Sequence, residues 1–287
     1  MTDQWKDRKF GIELEYTGVS RAESEKLMRQ SPFGEIIGGK IVRDASIRTL
    51  IPRGLEDVNP DDYRVEYVSP ILFHEDFICL TPFLNNLRRS GAKPSASCGC
   101  HIHINIDDFT AVDLRRLNNL YAAQECNILS CFHPNASRKN FCKDVDVGYL
   151  NAINKPGMTS NLTMEKVRRI WYDSHPDKDS SESDRYHNSR YHALNIHSFF
   201  QGRGIEFRLF NSSLYAQELK AYTEFVLRLV QHAKDVTAVR VRGRRTEGDL
   251  QHFSRFLHEG LDISKESSFW TWRILTADFS PVSVRPF

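Results

Sequence analysis

The chain has no Walker-type phosphate loop, no Gly-x-Gly-x-x-Gly, no internal repeat and no low-complexity tract. Those absences exclude the common nucleotide-binding loops and the solenoid architectures. No apolar run approaches the roughly 18 residues of a membrane span. The amino terminus, Met1 to Lys9, is charged and lacks the apolar core of a signal peptide. No membrane partner and a cytoplasmic location are therefore expected. Cysteine is scarce: six in 287 residues, all between Cys79 and Cys142. That is a poor framework for a secreted disulfide scaffold, so reduced thiols are expected. Net charge is small as well, +2 from 39 Lys and Arg against 37 Asp and Glu, which gives no field to draw nucleic acid. With 40% hydrophobic and 26% charged residues the composition is that of a globular protein, read as one domain over residues 1–287.

What the chain does have is a set of strands with two unlike faces. Ser97 to Asp107 reads Ser-Cys-Gly-Cys-His-Ile-His-Ile-Asn-Ile-Asp. On a strand, side chains repeat with a period of two, so His101, His103, Asn105 and Asp107 share one face and Ile102, Ile104 and Ile106 the other. Isoleucines bury. Two imidazoles, an amide and a carboxylate require water, a hydrogen-bond network or a metal. Cys98 and Cys100 raise a soft zinc site, but Cys-x-Cys-x-His-x-His is not a usual tetrahedral spacing.

Lys9 to Thr17 alternates in the same way, with Phe10, Ile12, Leu14 and Tyr16 opposite Gly11, Glu13 and Glu15. Same-face neighbours lie about 7 Å apart, so the two acids repel unless solvated or bridged by cations. Tyr63 to Pro70 sets Glu66 between Val65 and Tyr67, and Gly204 to Phe210 sets Glu206 and Arg208 opposite Ile205, Phe207 and Leu209. The last two polar residues also fit an ion pair of small value. Tyr191 to Phe200 reads as a further strand. Glu35–Ile37 and Lys40–Arg43 read as a hairpin turned at Gly38 and Gly39, and Ile47 to Asp62 as a loop.

Helical spacing marks Ser20 to Arg29 capped by Ser20, His74 to Ser90 kinked or restarted at Pro82, and Thr110 to Cys131 with a capping box. It also marks Thr163 to Tyr172, a long helix capped by Ser213, and a tail from Asp249 to His258 ended by Gly260, with Phe269 to Leu275 beyond it. Phe132 to Gly157 gives mixed signals, loops with a short helix. Ser174 to Arg190 is polar and nearly free of core residues, a mobile surface insertion or lid. The basic run Val239 to Arg245 reads as a solvated turn.

One arrangement accounts for all the odd polar faces. In an α+β fold with one curved, largely antiparallel sheet backed by helices, the apolar faces meet the helices and Glu13, Glu15, Glu66, His101, His103, Glu206 and Arg208 converge on a concave surface. Uncompensated, such carboxylates raise one another's pKa, and divalent metal is the natural relief. Mostly oxygen ligands favour Mg²⁺ or Mn²⁺ over zinc. Metal beside an arginine suits nucleotide-phosphate chemistry.

Four stretches, Phe10–Glu15, Val65–Pro70, Cys98–Asn105 and Arg190–Ile196 with Gly204–Phe210, resemble the motifs of the amidoligase family, which is related to glutamate-cysteine ligase and glutamine synthetase. They occur in the expected order and span about residues 9–235, leaving residues of about 236–287 as a helical extension. The resemblance implies a glutamine-synthetase-like catalytic sheet and an ATP-dependent carboxylate–amine ligase working through an acyl phosphate. Its cofactors would be ATP and Mg²⁺ or Mn²⁺, and its substrates a small-molecule or peptide carboxylate and an amine. By motif position Glu13 resembles a ligand of one metal and Glu15 of its neighbour, joined by Glu66, with His101 and Glu206 completing the first site. His103 resembles the histidine that approaches the nucleotide phosphates, and Arg208 the arginine on the substrate carboxylate or transferred phosphoryl group. Arg190 and Lys155 are further candidates for phosphate contacts. The alternatives are a metal-dependent hydrolase using the His-x-His strand and an inactive binding module of the same fold.

Overall fold

The structure is a computed structural model that describes residues 3–51, 54, 57–239 and 250–263. Its centre is an open sheet of six strands in the order β2-β3-β1-β4-β6-β5, every neighbouring pair antiparallel. The strands are β1 (Phe10–Tyr16), β2 (Lys40–Arg43), β3 (Val65–Val68), β4 (Gly99–Ile104), β5 (Leu194–Asn195) and β6 (Ile205–Asn211). The helices are α1 (Arg21–Arg29), α2 (Gly34–Ile37), α3 (Phe77–Arg89), α4 (Ala111–Phe132), α5 (Val147–Ile153), α6 (Met164–Ser174), α7 (His197–Phe200), α8 (Ala216–Asp235) and α9 (Leu250–Arg255). The expected α+β class with an antiparallel sheet and helices is what the chain adopts.

The period-two pattern sorts the sheet. Ile12 and Leu14, Val65 and Tyr67, Ile102 and Ile104, and Phe207 and Leu209 are all buried, and α8 packs on β4 while α4 packs on β6. A fully buried isoleucine or leucine contributes about 2–3 kcal/mol by leaving water, so this layer holds the opposite, polar face in place. α3 and α4 both lie against α8. The start of α4 is fixed as its sequence predicts: the Thr110 hydroxyl accepts from Asp113 N (3.2 Å) and the Asp113 carboxylate accepts from Thr110 N (2.9 Å). α1 is likewise capped by Ser20, whose hydroxyl accepts from Glu23 N.

Some expectations are corrected. The Glu35–Ile37 half of the proposed hairpin is a helical turn, α2, and only Lys40–Arg43 is a strand, paired with β3. Gly39 marks a close approach and not a hairpin turn: a Cβ there would stand 2.0 Å from the Val68 carbonyl oxygen. Pro82 lies inside a continuous α3, so the helix does not restart. Of Tyr191 to Phe200 only Leu194–Asn195 is a strand, because Asn195 starts a turn of helix that becomes α7. The residue at the start of α8 is Tyr215; the Ser213 hydroxyl instead accepts from Tyr215 N and pairs with Glu218.

The Ser174 to Arg190 insertion is tied down. The Asp177 carboxylate accepts from Ser180 Oγ (2.5 Å), Asn188 N (2.9 Å) and Asp179 N (3.0 Å). Tyr172 and Gln201 both donate to the Glu182 carbonyl, and His187 and Ser189 are buried. Polar composition there reflects internal hydrogen bonding. The tail forms α9 and a π-turn, Phe256–Gly260, whereas Asp249, all of the basic run except Val239, and Phe269 to Leu275 lie outside the described residues. No helix among the described residues is long and apolar enough to cross a membrane.

Candidate active site

Register brings the polar positions together. β1 lies between β3 and β4, with Glu15 opposite Glu66, Glu13 opposite His101 and Gly11 opposite His103. On the far side of β4, His103 stands opposite Glu206. The β4–β6 pairing then steps, from Ile102↔Phe207 to Cys100↔Phe210, so β6 carries one extra residue beside His101. This bulge lets Leu209 and Phe210 both bury while Arg208 stays beside Glu206.

The side chains form one connected cluster. His101 Nδ1 lies 3.3 Å from Glu13 Oε2 and 3.5 Å from Glu206 Oε1, and its Nε2 is 3.8 Å from Glu15 Oε1. His103 Nε2 lies 3.3 Å from Glu13 Oε1 and 3.9 Å from Glu206 Oε1. Arg208 pairs with Glu206 and donates from Nε to the Phe141 carbonyl (3.3 Å). Glu15 accepts from Gly99 N at 2.7 Å. The face is roofed: Glu15, His101, Glu206 and Arg208 are 3%, 5%, 4% and 5% exposed. The expectation of an open concave surface gives way to a largely enclosed site, covered by the Phe141 segment and α7. Glu206 and Arg208 are a buried pair, which removes the reading of a weak surface contact.

The donors fall into three overlapping sets whose ligand atoms lie within 4.8 Å of one another: Glu13, Glu66 and His101; Glu13, His103 and Glu206; and Glu15, Asp44 and Glu66. Glu13 joins the first two sets and Glu66 the first and third. The motif grouping sets His101 with Glu206, which lie 3.5 Å apart, and His103 in addition shares a donor set with Glu13 and Glu206. The electrostatics fit divalent cations. Burial, with the charges of Glu13, Glu15 and Asp44, pushes the Glu66 carboxyl up to about 9. Burial and Asp44 push Glu15 to about 7. Against its own burial Glu206 is held down at about 2 by Arg208 and both imidazoles, and Glu13 is held well below its ordinary range by His101 and His103. Burial and the Arg208 charge lower His101 to about 4, whereas Glu206 and Glu13 outweigh burial and raise His103. Crowding of buried carboxylates that raises Glu15 and Glu66 is relieved by a nearby cation, and the oxygen-rich donors suit Mg²⁺ or Mn²⁺.

Other predicted residues stand apart. Arg190 donates to the Arg185 carbonyl (3.2 Å) and lies over the Tyr186 and Tyr191 rings, its charge reaching the cluster's margin at His197. Lys155 is exposed beyond α5. Asn105 and Asp107 bond to each other past the end of β4. Cys98 and Cys100 are fully buried, Cys100 within the apolar core and away from the imidazole face, and burial pushes both thiols up, Cys98 to about 11. That disposes of a zinc site shared with the histidines.

Sequence reasoning missed four residues. Asp44, just after β2, enters the third donor set. Asn195 donates to Glu206 Oε2 (2.6 Å), and Ser198 Oγ lies 3.2 Å from His103 Nδ1. Arg138, buried under β6, donates to the Arg208 carbonyl (2.7 Å) and to that of Phe210. The one usable signal was Gly99, where a Cβ would stand 2.2 Å from the Arg138 guanidinium.

Behind α7 lies a second layer of imidazoles. Tyr172 and His197 share a hydrogen bond (2.7 Å), and His192 Nδ1 bonds the Asp144 carbonyl (2.6 Å) beside His175. Burial, reinforced by His175, lowers His192 to about 4, and burial with His187 does the same to His197. Folding lowers both pKa values, so the share of stability these two histidines contribute is full near pH 7 and is lost as pH falls from 6.5 towards 4, while the raised Glu15 and Glu66 carboxyls act in the opposite sense over the same window. The loss is on the order of 2 kcal/mol per group. Urea unfolding of metal-free wild type and His192→Asn, whose amide can replace Nδ1, at pH 7 and pH 4.5 isolates the His192 share: the variant should lose less stability on acidification than wild type, and an equal change in both would reject the assignment.

The sheet, the cluster and the motif order define a class, and comparison with known families gives it a name: the chain belongs to the family described as "putative amidoligase enzyme", which matches residues 6–230. Among solved structures, the crystal structure of a bifunctional glutathione synthetase from Pasteurella multocida is similar over 95% of this chain and 47% of that one, at 14% identity and a TM-score of 0.43. The chain thus spans about half the length of that protein. No curated protein matches.

Proposed function

We propose that this chain is an ATP-dependent carboxylate–amine ligase on a glutamine-synthetase-like catalytic sheet, forming an amide or isopeptide bond through an acyl phosphate. The observation that carries the reading is the run of three overlapping donor sets ending beside the buried Glu206–Arg208 pair. Divalent cations held by Glu13, Glu15, Asp44, Glu66, His101, His103 and Glu206 would neutralise nucleotide phosphate charge and stabilise the transferring phosphoryl group. Glu206 and the Phe141 carbonyl hold the Arg208 guanidinium in one position, where it meets the substrate carboxylate or the phosphoryl group. His103 would hold a cation together with Glu13 and Glu206, and Arg190 and Lys155, which stand outside the cluster, would add positive charge at its periphery. The γ-phosphoryl group passes to a carboxylate oxygen with release of ADP. The amine nitrogen then bonds to the acyl carbon, phosphate leaves, and the amine proton passes to solvent.

ADP and phosphate release should require Mg²⁺, a carboxylate and an amine together. Glu206→Gln should lower that turnover at least about 10²-fold, because the charge that fixes Arg208 is gone. Since Glu206 is buried and bonded, the substitution should also lower the unfolding free energy from urea titration by about 1–3 kcal/mol. Folded, Mg²⁺-loaded wild-type protein that neither binds nor consumes ATP would overturn the proposal.

A further inference from the structure

Ser198 and Asn195 belong to no donor set, yet both touch residues that do. The Asn195 amide is buried between two partners: its Nδ2 donates to Glu206 Oε2 (2.6 Å) and its Oδ1 accepts from Ser198 N (3.3 Å). The second bond fixes the first turn of α7 relative to β6. It sets Ser198 Oγ 3.2 Å from His103 Nδ1. At the other end of that ring Nε2 is buried and has no hydrogen-bond partner among the described residues, although Glu13 Oε1 and Glu206 Oε1 lie 3.3 Å and 3.9 Å away. A buried ring nitrogen that faces two carboxylate oxygens across 3.3 Å and 3.9 Å completes a three-donor set with them.

We propose that Ser198 is a positioning residue that accepts the Nδ1–H of His103 and so turns the Nε2 lone pair onto a divalent cation shared with Glu13 and Glu206. The inference rests on the cation reading above and adds to it the group that selects the tautomer. In a neutral imidazole one nitrogen donates and the other accepts, so a hydroxyl that takes the Nδ1 proton leaves Nε2 free to ligate. Asn195 supports the arrangement twice, holding Glu206 with one end of its amide and Ser198 with the other. Two ligands of one cation are thereby set by a single four-residue turn, Asn195 to Ser198.

The test is calorimetric titration of the metal-free full chain with Mn²⁺, for wild type, Ser198→Ala and Ser198→Thr. Alanine keeps the turn and removes only the hydroxyl. It should weaken one cation about 10–100-fold and leave the cation held by Glu15, Asp44 and Glu66 unchanged. Threonine, which keeps the hydroxyl, should restore binding. Metal-free urea midpoints of wild type and both variants should agree. Ser198→Ala binding every cation like wild type would overturn the inference alone, as would a loss spread equally over all cations. Wild-type protein that takes up no Mn²⁺ would overturn the cation reading and this inference with it.

Discussion

Replacing Glu13 by glutamine is expected to take a ligand from two of the three overlapping donor sets at once, weakening cation binding there, and to lower turnover by about 10²–10³-fold or more. The reason is its position. Its two carboxylate oxygens face different imidazoles, Oε2 towards His101 and Oε1 towards His103, and it enters both donor sets that contain them. A neutral amide offers one weak oxygen donor where the sets need a bridging anion. Binding to the folded state alone stabilises by about 2.7 kcal/mol per cation at a hundredfold excess over Kd. Thermal melts with and without Mn²⁺ should therefore show most of the metal-dependent rise lost in Glu13→Gln. Glu15→Gln should lose less, because Glu15 enters a single set. If the two variants lost the same share, the bridging role of Glu13 would be wrong.

Arg138→Ala is expected to be the most destabilising change near the site, at about 3 kcal/mol, because it strips the partners from two buried carbonyls. β5 pairs only with Phe207 and Glu206; beyond it Arg208 N still donates to the Ala193 carbonyl (2.8 Å), while the carbonyls of Arg208 and Phe210 are bonded by Arg138. Burial lowers the guanidinium's own pKa, opposed chiefly by Glu15, so the side chain bears a desolvation cost that its bonds must exceed. The melting temperature should fall by about 5 °C. Arg138→Lys should recover only part of this, since one ammonium cannot replace the planar fork. A wild-type melting temperature in Arg138→Ala would show that water satisfies both carbonyls.

How far the sequence could be read follows from where the information lay. β1, β3, β4 and β6 declared themselves by alternation, because one face of each had to be apolar to meet the helices, and the cluster residues on their other faces followed with them. Glu206 and Arg208 kept the right face even though β6 carries a bulge, which no pattern in the sequence announced. Asp44 was hidden because it follows a strand instead of lying on one, and its approach depends on β2 pairing with β3. Asn195 and Ser198 were hidden because the apolar residues around them read as a continuous strand, whereas side-chain bonding by Asn195 turns the chain into α7. Arg138 sat in a stretch with no periodicity. The enclosure of the site was illegible for a related reason: the cover is built from turns and tied-down loops, whose polar composition mimics that of exposed ones.

The two ends of the sheet bear on how this protein avoids pairing with others. A strand edge is a template for association between molecules, and natural sheets blunt it with charge or brevity. At one end β2 is four residues long and places exposed Lys40 and Arg43 at its termini. At the other, β5 is two residues long, and the edge it leaves on β6 is bonded by a guanidinium from the same chain. The arginine that supports the polar face thus also terminates the sheet, so loss of Arg138 would expose an adhesive edge as well as weaken the fold.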